Sequence, residues 1–535
     1  MKMIIRTLIM LLLMCSVNVL AQDRPNLLVI ILDDAGLDMG AYGSTYVKTP
    51  AFDSIASNGI LFKNSYTPNA KCAPSRAAIL TGRNSWQLDA AANHFIYFPP
   101  KFKTYQEVLK ENGYTVGYTG KGYAPGKAEN EDGTPRELIG PPFNSKRLTP
   151  PTKAISDNDY SENFKDFLVN VPEDNPWSFW VGTLEPHRSY AYRSGVDLGK
   201  KTSGMITDFP GYWPDNEVTR NDLLDYAFEI EYADSHVIKI LETLEKSGEL
   251  ANTLVVITSD HGMPFPRVKG DQYEHSNHVP MAMMWGDRIK TKGREITDHV
   301  SFIDLAPTFL EIAGIAWQNS GMHPTPGKSI LEIISSEKSG QIDNKRNFVF
   351  VGKERHDTGR PNDTGYPIRG IYQDSMLYLV NFETERWPSG NPETGYLNTD
   401  GSPTKTEILN LRRQGKNTNF WQLNFGKRPP EELYNIKKDP YCLINLSSTS
   451  DYETIKGFLK EKLFLGLLEQ GDLRMLGFGH LYEKHPMVNG RNFYKEYLSG
   501  MQPSAGWVND SDFEVYYLSG DGKQLQQVFP DNKNE

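Results

Sequence analysis

The chain has 535 residues, 38% hydrophobic, 23% charged and 11% aromatic, with a formal net charge of -10. That balance fits a globular protein with a sizeable core. It excludes a coiled coil, a disordered chain and a nucleic-acid-binding protein, since no long basic run occurs.

Residues 1–21 read as a signal peptide. Lys2 and Arg6 open the segment, an apolar run covers 8–14, and Val19-Leu20-Ala21 ends on a small residue suited to cleavage. The run is too short to span a bilayer, so an exported, periplasmic protein without a transmembrane anchor is expected. Lipidation at Cys15, giving a cell-surface lipoprotein, is the weaker alternative, because Met14 stands where a small residue is preferred. The only other cysteines are Cys72 and Cys442, too few for a disulfide framework, so stability must come from the core.

Three apolar runs follow in chain order, at 27–32, 177–184 and 254–257. They end in Asp33-Asp34, in Glu185-Pro186-His187-Arg188 and in Ser259-Asp260-His261-Gly262. Runs buried on both faces are what a helix-covered parallel sheet produces. Between them lie helical patterns, the clearest at 223–244. Alternating strands and helices predict an α/β fold with a mainly parallel central sheet, in which ligands bind beyond the carboxyl ends of the strands. All three polar clusters stand at such ends. The stretches 124–151 and 189–219 read as long surface loops; the second carries Tyr190, Tyr192, Phe209, Tyr212 and Trp213, as cleft walls or as padding.

The character changes near residue 365. Strands are expected at 366–371 and 376–382 and an amphipathic helix at 455–468. The expected organisation is therefore 22–364 as a catalytic α/β domain and 365–535 as a smaller unit with an antiparallel sheet and a packed helix.

The most informative segment is Cys72-Ala73-Pro74-Ser75-Arg76-Ala77-Ala78-Ile79-Leu80-Thr81-Gly82-Arg83. Pro74 suits the first turn of a helix, which places Cys72 at a helix N-terminus, where free N–H groups favour anions, and Arg76 one turn on. Asp33, Asp34 and Asp260 are hard oxygen donors suited to calcium or magnesium.

The segment is similar to the C-x-P-S-R…T-G-R signature of formylglycine-dependent (type I) sulfatases, of the alkaline-phosphatase superfamily. Recurring segments at 301–308 and 432–440 extend the resemblance from about residue 25 to 446. It implies an alkaline-phosphatase-like sandwich in which a formylglycine-generating maturation enzyme oxidises Cys72. The hydrated aldehyde is then the nucleophile at sulfur. It further implies that Asp33, Asp34, Asp260, His261 and the modified Cys72 bind calcium, with magnesium as the alternative. Arg76 holds the aldehyde hydrate, Lys121 and Lys269 grip sulfate oxygens, and His187 protonates the leaving atom. The sequence departs from the family at His261, where many members carry Asn, and at Tyr123, where the family has a histidine that contacts the formylglycine.

Asp260-His261-Gly262-Met263-Pro264-Phe265-Pro266, Glu185-Pro186-His187-Arg188 and Tyr366-Pro367-Ile368-Arg369 are similar to segments of the heparan N-sulfatase group. This implies the N-sulfate of N-sulfoglucosamine, in a sulfated oligosaccharide, as the reacting group. Glu185, Arg188, His94 and His356 are the candidate sugar contacts or their supports. Lys71, Arg76, Arg83, Lys121 and Lys269 are expected to gather positive charge at the site for a polyanionic substrate. A carbohydrate O-sulfatase, a phosphonate or phosphate-ester hydrolase, and a catalytically dead glycan-binding protein remain the alternatives.

Overall fold

The computed structural model of the chain describes residues 24–488, 492–501, 504–518 and 525–528; the expected signal peptide and Cys15 lie outside them. Seven strands form the central sheet: β1 (Asn26–Leu32), β2 (Ile60–Phe62), β3 (Thr115–Gly120), β4 (Trp177–Gly182), β5 (Thr253–Ser259), β6 (Met281–Met284) and β7 (Arg294–Ile296). Their spatial order is β7-β2-β6-β5-β1-β4-β3, and every pairing is parallel except those made by β6.

The central strand β1 and the middle of β5 are apolar because both faces are covered. Leu27, Val29 and Ile31 join one core with Leu254 and Val256, packed by Ala77, Ile79, Leu305 and Phe309. Leu28, Ile30 and Leu32 point the other way, into a second core with Val255, Ile257, Leu224, Ile230 and Val237. The period of two along a strand divides one continuous run between two helical layers.

The helix expected at 223–244 is Glu217–Ser247. It starts earlier because the Asn216 side chain accepts from the Thr219 N–H, and it stops at Gly248, whose φ of 77° suits a left-handed cap. Its buried face also carries acids. Asp234 accepts from the Ala51 and Phe52 N–H groups, both at 2.9 Å, and so caps the helix Pro50–Ser57.

The second sheet is antiparallel, with strands β8 (Phe348–Lys353), β9 (Ile368–Gln373), β10 (Met376–Asn381) and β11 (Glu431–Asn435) in that order. β8 lies upstream of residue 365, so this sheet draws a strand from the stretch that the sequence assigns to the first unit. β9 begins two residues later than expected, just after Pro367, which has no N–H to donate. One face packs Phe350, Ile371, Tyr378 and Leu433 against Leu459, Leu463 and Leu467 of the helix Glu453–Glu469. Burial of each leucine stabilises by about 1.5–3 kcal/mol. The other face meets Tyr66 and Tyr273 of the first layer.

The two long loops are less superficial than their composition suggests. Leu138 and Ile139 enter the first core. Tyr212 and Trp213 are buried, with Trp213 packed 5.0 Å from Phe265, so these two rings are core and not cleft wall. Among the described residues, no helix is long and apolar enough to cross a membrane.

Candidate active site

Strand register assembles the site. Leu32 lies opposite Ser259, Ile31 opposite Gly182, and Gly182 opposite Gly120. The residues that follow, Asp33, Asp260, Thr183 and Lys121, therefore leave the sheet along one edge. Gly120 has a φ of 74°, and a Cβ there would stand 2.0 Å from the Gly182 carbonyl oxygen. Only glycine permits this turn, which sends Lys121 back toward Asp33.

The helix Cys72–Thr81 points its N-terminus at the same edge. Its first residue is Cys72, and Ser75 ties the turn to β5 by donating to the Asp260 carbonyl at 2.6 Å. The Thr81-Gly82 part of the motif ends the helix, Gly82 having a φ of 67° and donating to the Ala78 carbonyl. Arg76, one turn in, donates Nε to Asp260 Oδ2 at 3.0 Å and Nη2 to Asp33 Oδ1 at 3.1 Å. Its Nη1 donates to the Lys121 carbonyl at 2.8 Å. One fully buried guanidinium thus joins three strand ends.

Lys121 Nζ donates to both oxygens of Asp33, at 2.8 and 2.5 Å. Lys269 Nζ bridges Asp34 Oδ2 and Asp400 Oδ2, each at 2.6 Å. His261 Nδ1 donates to the Gly262 carbonyl at 3.0 Å, which turns Nε2 toward Asp34 Oδ1 at 3.0 Å and Cys72 Sγ at 3.4 Å. Cys72 Sγ is also 3.9 Å from Asp34 Oδ1.

The electrostatics follow from these contacts. Burial raises the Asp34 carboxyl, but Lys269, His187 and His261 hold it well below the usual carboxylate range. Asp260 is likewise held down, against burial, by Arg76, His261 and Lys121. Burial lowers His261, yet Asp260 and Asp34 raise it well above the ordinary imidazole value. Four acids, Asp33, Asp34, Asp260 and Asp400, face four bases, Lys71, Arg76, Lys121 and Lys269, all buried apart from the half-buried Lys121. A divalent cation held by these carboxylates, with the lysines and Arg76 around it, would suit the pocket to a small anion.

The donor set fits such a cation. One ligand atom each from Asp34, Cys72 and His261 lies within 4.8 Å of the others, and the same holds for Asp33, Cys72 and Asp260. Three carboxylates dominate, as expected for a hard cation such as calcium or magnesium.

Asp33, Asp34, Cys72, Arg76, Lys121, Asp260, His261 and Lys269 are therefore brought together, and His187 joins them with Nε2 3.8 Å from Asp34 Oδ2. The candidate sugar contacts are placed otherwise. Glu185 is buried and accepts from the Ser156 N–H and the Tyr160 hydroxyl, both at 2.8 Å. Arg188 makes a two-pronged contact with Asp222 at 2.7 and 2.8 Å and stacks 4.3 Å from the centre of Phe265. His356 is buried against Asn69 Oδ1 at 2.7 Å. His94 is buried edge-on to Phe95, both ring nitrogens without a hydrogen-bond partner among the described residues. Glu185 and Arg188 are thus engaged by protein partners, whereas His94 keeps both ring nitrogens, and His356 its Nδ1, without a hydrogen-bond partner among the described residues. Arg83 is also displaced from the site, bonded to the Pro324 carbonyl and lying over Phe102. Tyr123 is turned edge-on to Phe98, 5.2 Å away.

Asp400 is the site residue that sequence reasoning missed. It sits in Leu397-Asn398-Thr399-Asp400-Gly401, which reads as a plain turn, and no local signal marks it.

A family model described as Sulfatase matches residues 25–315. The chain is 26% identical over 530 residues to an ulvan-active sulfatase of Formosa agariphila, spanning 88% of this chain and 79% of that one. It is 26% identical over 480 residues to the N-sulphoglucosamine sulphohydrolase of Homo sapiens, spanning 83% and 90%. A solved structure described as bound to its substrate D-glucosamine-2-N,6-O-disulfate shares the fold, with a TM-score of 0.58 at 18% identity over 84% of this chain and 98% of that one.

Proposed function

Since the chain belongs to the sulfatase family, we propose that it hydrolyses the sulfate of a glycosaminoglycan-type sugar, most specifically the N-sulfate of N-sulfoglucosamine in heparan sulfate or heparin fragments. The observation that carries the reading is the position of Cys72 at a helix N-terminus, its Sγ 3.4 Å from His261 Nε2, among acids and bases from separate strand ends.

Oxidised to formylglycine by a maturation enzyme, residue 72 would supply a hydrated aldehyde, a nucleophilic oxygen with a built-in route for releasing sulfate. Asp33, Asp34, Asp260, His261 and residue 72 would hold calcium, or magnesium in its place, which would supply positive charge beside the sulfate oxygens. The chain's own residues do the rest. Lys121 and Lys269 hold sulfate oxygens and offset the charge that moves onto them in the transition state. Arg76 fixes Asp33 and Asp260 so that the carboxylates keep their spacing. His187, whose side chain is 32% exposed at the mouth, gives a proton to the leaving atom. An exported, periplasmic location completes the proposal.

A second reading, a carbohydrate O-sulfatase, is supported by the equal 26% identity to the ulvan-active sulfatase. The test is sulfate release from glucosamine disaccharides that carry a single N-, 6-O- or 3-O-sulfate. Release from the N-sulfated sugar is expected. Release from an O-sulfated sugar alone moves the assignment to the second reading.

A further inference from the structure

The leaving-group side of the pocket holds a carboxylate that the reaction described so far does not use. Asp400 is only 5% exposed. One ligand atom each of Asp34, His187 and Asp400 lies within 4.8 Å of the others, so Asp400 stands beside the histidine that faces the leaving atom. Lys269 Nζ occupies Oδ2 at 2.6 Å, and no donor among the described residues reaches Oδ1.

The carboxylate is also firmly held. Lys71 Nζ donates to the Asn398 carbonyl at 3.0 Å, and Asn398 Nδ2 donates to the Gly270 carbonyl at 3.0 Å. Lys405 Nζ donates to the Thr399 carbonyl at 2.8 Å, and the Gly401 N–H donates to the Trp507 carbonyl at 2.8 Å. A buried carboxylate with one oxygen on a lysine and the other open, beside a proton donor, is built to accept a hydrogen bond.

We propose that Asp400 is the residue that selects N-sulfate over O-sulfate, by accepting a hydrogen bond from the N–H of the scissile sulfamate. The inference rests on the sulfatase reading and on the N-sulfate as its substrate. The bridging nitrogen of R–NH–SO₃⁻ carries a hydrogen, whereas the bridging oxygen of a sulfate ester carries none and meets the carboxylate lone pair to lone pair. Discrimination by a partner left unpaired in the wrong substrate is the strong kind. The product adds to the preference. In R–NH–SO₃⁻ + H₂O → R–NH₃⁺ + SO₄²⁻ the N–S bond breaks, an S–O bond forms and both protons of water end on nitrogen. The ammonium then lies against Asp400, whereas an alcohol product has no charge to offer it.

The experiment compares matured wild-type enzyme with Asp400→Asn and Asp400→Glu. Values of kcat/KM are measured on N-sulfated and 6-O-sulfated glucosamine, with inhibition by free glucosamine and by glucose. The ratio of N- to O-sulfate efficiency should fall about tenfold or more in Asp400→Asn, the cost of losing a hydrogen bond to a charged group. Glucosamine should inhibit the wild type better than glucose does, a preference that Asp400→Asn loses and Asp400→Glu partly keeps. Equal losses on both substrates, with glucosamine inhibition unchanged, would show that Asp400 only braces Lys269 and overturn the proposal. If the Asn variant does not fold, equal inhibition of the wild type by glucosamine and glucose overturns it alone. A wild type inactive on N-sulfate sinks the substrate reading as well, and is seen without any variant.

Discussion

The two walls of the active site are built by different means. The wall proposed to hold sulfate comes from strand ends and one helix N-terminus, between Asp33 and Lys269, and its acids are tied to bases within the same layer. The opposite wall reaches the site only after most of the antiparallel sheet has formed, as the segment around Asp400. It is fixed through backbone carbonyls by Lys71 and Lys405. In the first wall the geometry of regular structure places the chemistry. In the second, a loop that no ladder supports is clamped by buried lysines. The first arrangement suits a reaction core and the second suits the part that reads the substrate.

The largest effect should come from removing the proposed nucleophile without disturbing either wall. Cys72→Ala deletes a single buried sulfur and leaves the network of Arg76, Lys121 and Lys269 intact. Activity should fall by about 10⁴-fold or more, as for other covalent nucleophiles. The melting transition should stay sharp, and inhibition by glucosamine should persist. Residual activity within tenfold of the wild type would mean that position 72 is not the nucleophile.

Arg76→Ala should damage the fold as well as the chemistry. It strands Asp33 and Asp260 without their buried partner, and breaking such a set costs about 3–5 kcal/mol. Chemical denaturation should show this loss in the metal-free protein. Removing Lys71 from the Asp400 wall should cost less, because the Asn398 carbonyl that it serves stays neutral.

This difference also explains what the sequence made legible. Residues 27–32 and 254–257 announce buried strands because both faces of the sheet are covered, and the polar residues at their ends mark the site. The Cys72 segment names its own helix start, basic partner and glycine stop. Phe348–Lys353 was missed, although it is aromatic and β-branched, because its partner Ile368–Gln373 lies beyond a stretch with no strand signal. The protein partners of Glu185 and Arg188, read from the sequence as sugar contacts or supports, were not legible. Those partners, Tyr160 and Asp222, belong to other helices and left no trace near them. Asp400 depends entirely on long-range placement.

The smallest effect sharpens the comparison through pH. Burial raises the Asp400 carboxyl, but Lys269, with His187 and Lys71, brings it to about 2, below the ordinary value of 3.8. A carboxyl depressed on folding contributes stability that is fully present above its unfolded value and is lost as pH falls through the folded one. The contribution is about 2–3 kcal/mol. At pH 6 the Asp400→Asn protein should be less stable than the wild type by about that amount, and the gap should close between roughly pH 4 and pH 2 as the wild-type carboxylate takes up its proton. Denaturation curves at a few pH values measure this directly. A gap that did not change with pH would place the cost in packing, and the second wall would then be held by its backbone clamps alone.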